Sequence, residues 1–239
     1  MNLAVLILHG MMQHWQSMHT LLHPLAEHYR LIFPAMDGFY DGSGDFTSFA
    51  DQAEQIEAYV QARCGGHLHG AYGASQGGLM LTELLTRGRI RIETAVMDGC
   101  YVAHQGKLAG IVTSWMFCRY KNTGKFPAFI HVMMLLMGTT LNELGRDMLT
   151  SLYLRASDES VRRNMLENYT YHVRSDLAGT ETAVHLWCGS KEPYALKSHR
   201  ILKRYLRHYQ EEIMPALGHG DFLLRQTTAA CEKICSAIG

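Results

Sequence analysis

The stretch that most constrains the fold of this chain is Gly-Ala-Ser-Gln-Gly at residues 73–77. A short apolar run precedes it, and residues 79–85, which have helical character, follow it. A serine with glycines two positions before and after it is typical of a sharp turn from a strand into a helix, where a side chain at either flanking position would collide with neighbouring backbone. The pattern predicts a strained turn that exposes the Ser75 hydroxyl at the N-terminus of a helix.

The rest of the chain alternates apolar runs with amphipathic segments, a pattern typical of a parallel sheet with helices on both faces. Six strands are predicted, at residues 3–8, 30–34, 67–72, 92–97, 182–187 and 212–214. The helix after Ser75 is expected to end at Arg87, because Gly88 is a suitable C-terminal stop. Further helices of this layer are predicted at residues 15–27, 46–64, 194–209 and 221–237.

The alternation breaks between the fourth and fifth predicted strands. This stretch is rich in Met, Phe, Tyr and Leu, and its apolar spacing indicates helices. The predicted helices are residues 112–120, 128–137, 141–154 and 159–174. We interpret residues 100–179 as a helical cap or lid inserted into an α/β core formed by residues 1–99 and 180–239.

Size, charge and cysteine content narrow the class of protein. The 239 residues, 47% of them hydrophobic, suffice for one core of α/β size. The formal net charge of zero does not favour nucleic acid or an anionic membrane as a partner. None of the six cysteines forms a Cys-x-x-Cys pair, which favours free thiols in a reducing compartment. No leader segment is recognisable, and the apolar run at residues 126–137 is too short to span a bilayer. A cytoplasmic location is therefore expected.

A serine hydroxyl acts as a nucleophile at neutral pH only when a base accepts its proton and a carboxylate orients that base. On a sheet of this kind the chain order is serine, acid, histidine. Seven histidines follow Ser75, and His219 alone lies in a Gly-His-Gly loop, between the last predicted strand and the last helix. Because Gly218 and Gly220 leave room for the imidazole to reach the serine, His219 is the predicted base.

The predicted acid is Glu192, which follows the fifth predicted strand in a loop, with Pro193 suited to the first turn of the next helix. An alternative is that Glu192 only complements the positive end of that helix. Asp98, just after the fourth strand, and Asp176 are the fallback acids. Asp221 lies two residues from His219 and is interpreted as a helix N-cap.

An oxyanion that develops next to Ser75 needs two backbone donors. We expect these to be the N–H groups of Gln76, directly after the serine, and of Met11, in the turn after the first strand.

The methionines of the predicted helical insertion suit the wall of an apolar pocket, although ordinary packing between helices would explain them as well. The candidate pocket residues are Met12, Met116, Met133 and Met137.

The fourteen histidines raise the question of a metal site. His19 and His23 are one helical turn apart, but no nearby Asp, Glu or Cys pattern completes a ligand set. We therefore predict neither a metal nor a cofactor.

Taken together, these residues resemble the α/β-hydrolase superfamily with a helical cap. The resemblance is carried by the His9-Gly10 turn and by residues 22–34, 73–78, 96–99, 192 and 218–220. It implies an α/β-hydrolase fold with a minimal six-stranded parallel sheet, because the chain starts on what resembles the third of the usual eight strands. It also implies that Ser75 is the nucleophile, His219 the base and Glu192 the acid.

The sequence departs from the superfamily in two further places. Its acid is Glu where capped members more often have Asp, and the loop at residues 35–40 lacks the frequent Asp-x-x-Gly-x-Gly pattern. The expected function is a serine hydrolase that cleaves a small or medium carboxylic ester through an acyl-enzyme. The alternatives are a lyase or carbon–carbon bond hydrolase that uses the same residues, and a non-catalytic binding protein on the same scaffold. The expected partner is a small-molecule substrate, and a homodimer is left open.

Overall fold

The computed structural model describes residues 3–11, 14–136, 138 and 155–239. Its centre is one six-stranded sheet in which every adjacent pair of strands is parallel, in the spatial order β2-β1-β3-β4-β5-β6. The strands are β1 (Ala4–Leu8), β2 (Arg30–Ile32), β3 (His67–Ala74), β4 (Arg91–Asp98), β5 (Ala183–Gly189) and β6 (Tyr209–Met214). The predicted six-stranded parallel sheet is thus confirmed.

Helices connect the strands and cover the sheet. Those of the alternating part are α1 (Trp15–Leu22), α2 (Phe49–Cys64), α3 (Gln76–Arg87), α7 (Pro193–Leu202), α8 (Asp221–Arg225) and α9 (Thr227–Ile238). Three more described helices lie between β4 and β5, namely α4 (Lys107–Lys121), α5 (Phe126–Leu136) and α6 (Asp158–Thr170). Single 3-10 turns occupy His23–Glu27 and Ser175–Gly179.

Several predicted helices differ from the structure in their extent. The helix predicted at residues 46–64 begins at Phe49, the one predicted at 112–120 begins at Lys107, and the one predicted at 159–174 ends at Thr170. Three others are interrupted or cut short. The first becomes a 3-10 turn after Leu22, since Pro24 has no N–H with which to continue an α-helix. The helix predicted at residues 194–209 ends at Leu202, and residues 203–208 turn the chain back to begin β6 at Tyr209. The last helix is divided at Gln226, whose φ of −129° is not helical. The helix predicted at residues 141–154 lies outside the described residues.

The strand β6 is longer than its sequence indicated, because it lies at the edge of the sheet. It pairs with β5 from Val184↔Tyr209 to Gly189↔Met214, yet only Met214 is buried. An edge strand with polar side chains lacks the apolar run by which a buried strand is recognised, and charged side chains at such an edge discourage pairing with other chains.

The two faces of the sheet bury separate apolar clusters. On one face, Val5 and Ile7 of β1 pack with Met18 of α1 and Ile234 of α9. On the other face, the alternate residues of β1 pack with α2 and α3. This second cluster continues without interruption into the inserted helices, through Phe117, Ile130 and Met165.

The inserted segment is also joined to the sheet layer by polar contacts. The carboxylate of Glu83 on α3 is buried and accepts two hydrogen bonds from the Arg174 guanidinium, at 2.9 and 3.0 Å, and one from the Tyr171 hydroxyl at 3.2 Å. The Ser160 hydroxyl of α6 accepts from the backbone N–H of Phe46 at 3.0 Å. These contacts hold α6 against the segment that precedes α2, and hold the chain that follows α6 against α3. In the part of the chain described here, no helix has both the length and the apolar character that a membrane crossing needs.

Candidate active site

The turn between β3 and α3 has the strained geometry that its glycines predict. Ser75 has φ 53° and ψ −113°, and its N–H donates to the Asp98 carbonyl at 2.7 Å. A Cβ at Gly77 would overlap the backbone of Leu8 in β1, and a Cβ at Gly73 would overlap the first turn of α3. Only glycine fits at both positions, so the close packing of β1, β3 and α3 dictates the motif.

The second element of the site is the loop between β6 and α8, which carries His219. Gly220 has φ 74°, a left-handed conformation that glycine adopts without strain. The Asp221 carboxylate accepts from the Gly218 N–H at 2.8 Å. Asp221 was predicted to be an N-cap, but it is the first residue of α8, with Gly220 in the N-cap position. The hydrogen bond from Gly218 to the Asp221 carboxylate connects the residues before and after His219 and so stabilises the loop.

The structure brings the three residues predicted for the site into one chain of hydrogen bonds. His219 Nδ1 lies 2.6 Å from Glu192 Oε2, and His219 Nε2 lies 2.9 Å from Ser75 Oγ. A carboxylate only accepts, so Nδ1 carries the proton and donates to Glu192. Nε2 is then the acceptor for the Ser75 hydroxyl.

Glu192 is almost completely buried and both of its oxygens have donors. Its Oε1 accepts from the Gly189 N–H at 2.6 Å, while Oε2 accepts from His219. Gly99 allows this approach, because a Cβ there would lie 3.0 Å from both Glu192 Oε2 and His219 Nδ1, at a φ of +61°. The alternative that Glu192 only complements the helix that follows it does not account for its contact with His219.

Tyr101 contacts the site but was missed in the sequence. Its ring stacks on the imidazole of His219, with centroids 4.7 Å apart and planes inclined by 29°. The stack covers one face of the imidazole and restricts its rotation. Tyr101 follows β4 in a segment with no recognisable motif, so only the folded chain reveals the contact.

The fallback acid Asp98 is buried beside the site but has a different partner. Its Oδ2 accepts from the Tyr72 hydroxyl at 2.8 Å. Burial, and secondly the charge of Glu192, raises the pKa of Asp98 to about 6, although the Tyr72 hydrogen bond acts in the opposite direction. The other fallback acid, Asp176, lies in the 3-10 turn Ser175–Gly179 and has no described contact with His219.

The backbone donors predicted for an oxyanion belong to two neighbouring turns. Gln76 is the first residue of α3, so its N–H has no partner within the helix. Leu8, the last residue of β1, is paired with Gly73, which places the turn that contains Met11 next to the serine turn. His9 begins that turn. Its imidazole is buried, and burial lowers its pKa to about 4, so it is neutral at physiological pH.

The helix α6 reaches the residue that follows the serine. The Asn168 amide donates to Gln76 Oε1 at 3.0 Å and also to the Asn164 side chain at 3.2 Å. Gln76 is buried, and its amide nitrogen lies 3.8 Å from the sulfur of Met36. The inserted segment therefore has a polar contact with the serine turn itself, in addition to its apolar packing.

The four candidate pocket methionines are only partly covered by the described residues. Met133 is partly buried and packs against the apolar cluster shared by the sheet and the inserted helices. Met116 is partly buried on α4. Met12 and Met137 lie outside the described residues. A role in a substrate pocket stays a prediction for all four.

Metal ligation has no candidate in the described ranges: no three His, Cys, Asp or Glu side chains in them converge closely enough to hold an ion. All six cysteines are free thiols. The chemistry that this arrangement offers is that of a serine hydroxyl, an imidazole and a carboxylate, at the edge where the parallel strands end.

An α/β fold with three hydrogen-bonded side chains of this kind at the carboxyl edge of its sheet is the common property of a class of proteins. Sequence comparison identifies that class. The sequence model of the alpha/beta hydrolase family matches residues 5–232. The chain therefore belongs to the alpha/beta hydrolase family. No protein in the search of curated sequences matches it significantly.

Solved structures share the same fold at low sequence identity. The esterase EaEST from Exiguobacterium antarcticum is 16% identical, with a TM-score of 0.83 over 99% of this chain and 92% of that one. A protein from Desulfitobacterium hafniense that is assigned to the alpha/beta hydrolase family is 19% identical, with a TM-score of 0.80 over 100% and 96%. The esterase RhEst1 from Rhodococcus sp. ECU1013 is 18% identical, with a TM-score of 0.75 over 99% and 91%. At these identities the likeness concerns the fold.

Proposed function

We propose that the protein is a serine hydrolase that cleaves a small or medium carboxylic ester through an acyl-enzyme formed on Ser75. The observation that carries the proposal is the unbroken chain from Ser75 Oγ through His219 to Glu192, at 2.9 and 2.6 Å. Membership of the alpha/beta hydrolase family supports a hydrolytic reaction. The ester class and the residue roles are our inference.

In the proposed reaction, Ser75 Oγ attacks the ester carbonyl carbon while its proton passes to His219 Nε2. Glu192 stabilises the imidazolium that results and keeps Nε2 directed at the serine. The negative oxygen of the tetrahedral intermediate accepts from the N–H groups of Gln76 and Met11. His219 then protonates the leaving alcohol. A water molecule repeats the sequence on the acyl-enzyme and releases the carboxylic acid.

The substrate class is inferred from the inserted segment. We propose that residues 100–179 form a cap over a core of residues 1–99 and 180–239, and that Met116 and Met133 line an apolar acyl pocket with Met12 and Met137. The contact between Asn168 and Gln76 supports a cap that lies above the serine. A flexible thioether wall accommodates varied apolar groups better than it recognises one polar group. We therefore expect short and medium acyl chains to be accepted.

The direct test combines covalent labelling with turnover of p-nitrophenyl esters of increasing acyl length. Wild type should react with a fluorophosphonate probe and hydrolyse the esters. Ser75→Ala should lose both labelling and about three or more orders of magnitude of kcat/KM, with an unchanged melting temperature. Ser236→Ala, an exposed serine of α9, is the matched control and should behave as wild type. Labelling that persists in Ser75→Ala would contradict the proposed nucleophile.

The same experiment separates the rival functions. A lyase or carbon–carbon bond hydrolase would be labelled at Ser75 but would hydrolyse none of the esters. A non-catalytic binding protein would show saturable ligand binding without turnover. The cytoplasmic location and the oligomeric state stay predictions from the sequence.

A further inference from the structure

The helix α4 directs an apolar stripe toward solvent. Leu108, Ile111, Val112 and Trp115 follow the spacing i, i+3, i+4, i+7, which places them on one face, and they are between 48% and 75% exposed. The opposite face of α4, which contains Phe117, is buried, with α6 as its main neighbour. In a helix packed on a globular core the apolar stripe normally faces the core. Here a second stripe faces outward.

The next helix has the same property. Val132, Leu135 and Leu136 of α5 are between 47% and 78% exposed. Of the thirteen large apolar side chains that are exposed among the described residues, seven therefore lie on α4 and α5. Isolated exposed apolar residues are normal on a protein surface, but a concentration of this kind marks an interaction site. We call these seven residues the apolar face of the insertion.

The charged side chains that α4, α5 and the turn between them contribute are all basic, although the whole chain is neutral. Residues 99–142 contain four basic residues and no acidic one. Lys107, Arg119 and Lys125 are exposed, and within the described ranges no carboxylate forms an ion pair with any of them. Arg119 lies one helical turn beyond Trp115, on the same side of α4. The net charge of zero for the whole chain therefore includes a local excess of positive charge on α4 and just before α5, next to the exposed apolar side chains.

We propose that the apolar face of the insertion docks on the surface of an anionic lipid bilayer. A helix with Trp, Leu and Ile on its exposed face and basic residues beside them lies in the plane of the interface, with its apolar side chains among the acyl chains and its cations at lipid phosphates. Trp115 suits the boundary between the two layers, because indole is both apolar and a hydrogen-bond donor. The attachment is peripheral and needs no membrane-spanning helix.

Charge argues against a second copy of this chain as the occupant. A symmetric pair that covered the face would bring Lys107, Arg119 and Lys125 close to the same cations of its partner, which is unfavourable without intervening carboxylates. An anionic bilayer supplies the opposite charge and the apolar layer together. The inference is independent of the proposed hydrolysis, since it concerns the outside of the insertion.

The test is flotation of the full chain with vesicles of phosphatidylcholine, alone or with about a quarter phosphatidylglycerol. The protein should float with the anionic vesicles at low ionic strength and much less with the neutral ones. High salt should reduce binding, because the screening length falls from about 30 Å at 0.01 M to about 3 Å at 1 M. In a variant with Trp15 and Trp187 replaced by Phe, the emission of Trp115 should move to shorter wavelength on binding. Wild type that floats with neither kind of vesicle at low salt would overturn the proposal.

Variants separate the apolar and the charged contributions. Ile111→Ser with Trp115→Ser should lower the vesicle-bound fraction about tenfold. The matched control is Tyr59→Ser with Ile213→Ser, because these two side chains are comparably exposed elsewhere on the protein. This control should bind vesicles as wild type does. Arg119→Gln with Lys125→Gln should remove the preference for anionic vesicles, whereas Lys197→Gln with Arg200→Gln on α7 should not. Undiminished flotation of the Ile111/Trp115 variant would refute the role of this face.

Two further measurements complete the test. Ser75→Ala should float with vesicles like wild type, so a failure of the proposed hydrolase function would not change the flotation result. Sedimentation velocity tests for a second copy: a wild-type dimer that ignores vesicles and becomes monomeric in the Ile111/Trp115 variant would assign the face to self-association and overturn the proposal. A monomer that ignores vesicles would overturn the proposal as well.

Discussion

The carboxyl edge of the sheet and the helices inserted between β4 and β5 contact each other but are stabilised in different ways. At the edge, side chains from three distant loops meet at hydrogen-bond distances, and glycines leave the space that these contacts need. In the inserted helices, apolar side chains pack into the core on one face and are exposed on the other. A polar site depends on the position of single atoms, whereas apolar packing tolerates exchange of similar side chains.

This difference predicts which substitutions should strongly affect turnover or folding and which should have mild effects. At the sheet edge, small changes should alter turnover strongly or prevent folding, because an added Cβ at Gly73, Gly77 or Gly99 would overlap neighbouring atoms. In the insertion, most changes should be mild, and the exceptions should be the few buried polar contacts that join it to α3. The following substitutions test this contrast, from the largest expected effect to the smallest.

The largest effect is expected at the proposed acid. Glu192→Gln keeps the size of the side chain but removes its charge, so the imidazole loses its fixed orientation and tautomer. We expect kcat for a p-nitrophenyl ester to fall by about three to four orders of magnitude with little loss of stability. The rival acid provides the contrast, since Asp98→Asn should lower kcat by less than about tenfold. The reverse ranking would assign the role to Asp98.

The next effect concerns the serine turn. Gly77→Ala places a methyl group against the backbone of Leu8, which cannot move without disrupting the pairing of β1 with β3. We expect a loss of more than about 3 kcal/mol of unfolding free energy, measured in urea. Gly44→Ala is the matched control, because no atom lies within 4 Å of the added methyl group. Equal stability of the two variants would contradict the steric explanation of the motif.

The insertion should be most sensitive where Arg174 meets Glu83. Arg174→Ala leaves a buried carboxylate with the Tyr171 hydroxyl as its remaining described donor. We expect a loss of about 2–3 kcal/mol in urea unfolding, since removing one partner of a buried pair leaves an uncompensated charge. Arg207→Ala breaks an exposed ion pair with Glu181 at 3.5 Å and should cost less than about 1 kcal/mol. A similar loss in both variants would contradict a special role for the Glu83 contact.

The smallest effect depends on pH and concerns Asp98, where β4 ends and the chain enters the insertion. Its pKa rises from 3.8 to about 6 on folding, so the folded state binds the proton more tightly than the unfolded state does. The contribution to stability is complete below pH 3.8 and is lost as the pH rises through 6. Asp98→Asn should therefore be more stable than wild type at pH 7.5, by about 1–3 kcal/mol, and the difference should shrink toward pH 4. Urea unfolding across this range is the measurement, and a difference independent of pH would contradict the assignment.

Much of this architecture is readable in the sequence, because its causes are local. Buried strands appear as apolar runs, and the helix stop at Gly88 follows from the conformation of a single residue. The predicted strand β6 was too short because its exposed side chains give no apolar pattern. The break at Gln226 has no local signal either, so two helices were predicted as one.

The sequence by itself determined the six parallel strands, the serine turn and the three residues whose side chains meet beside it, since glycine spacing and chain order reflect constraints on the backbone. The tertiary structure alone decided that Tyr101 stacks on His219, that Asp98 is buried beside Glu192, that Asn168 reaches Gln76, and that the stripe on α4 faces outward. The physical reason is that these features depend on distances between segments far apart in the chain. An amphipathic pattern shows that a helix has an apolar face, but only packing decides which face is buried.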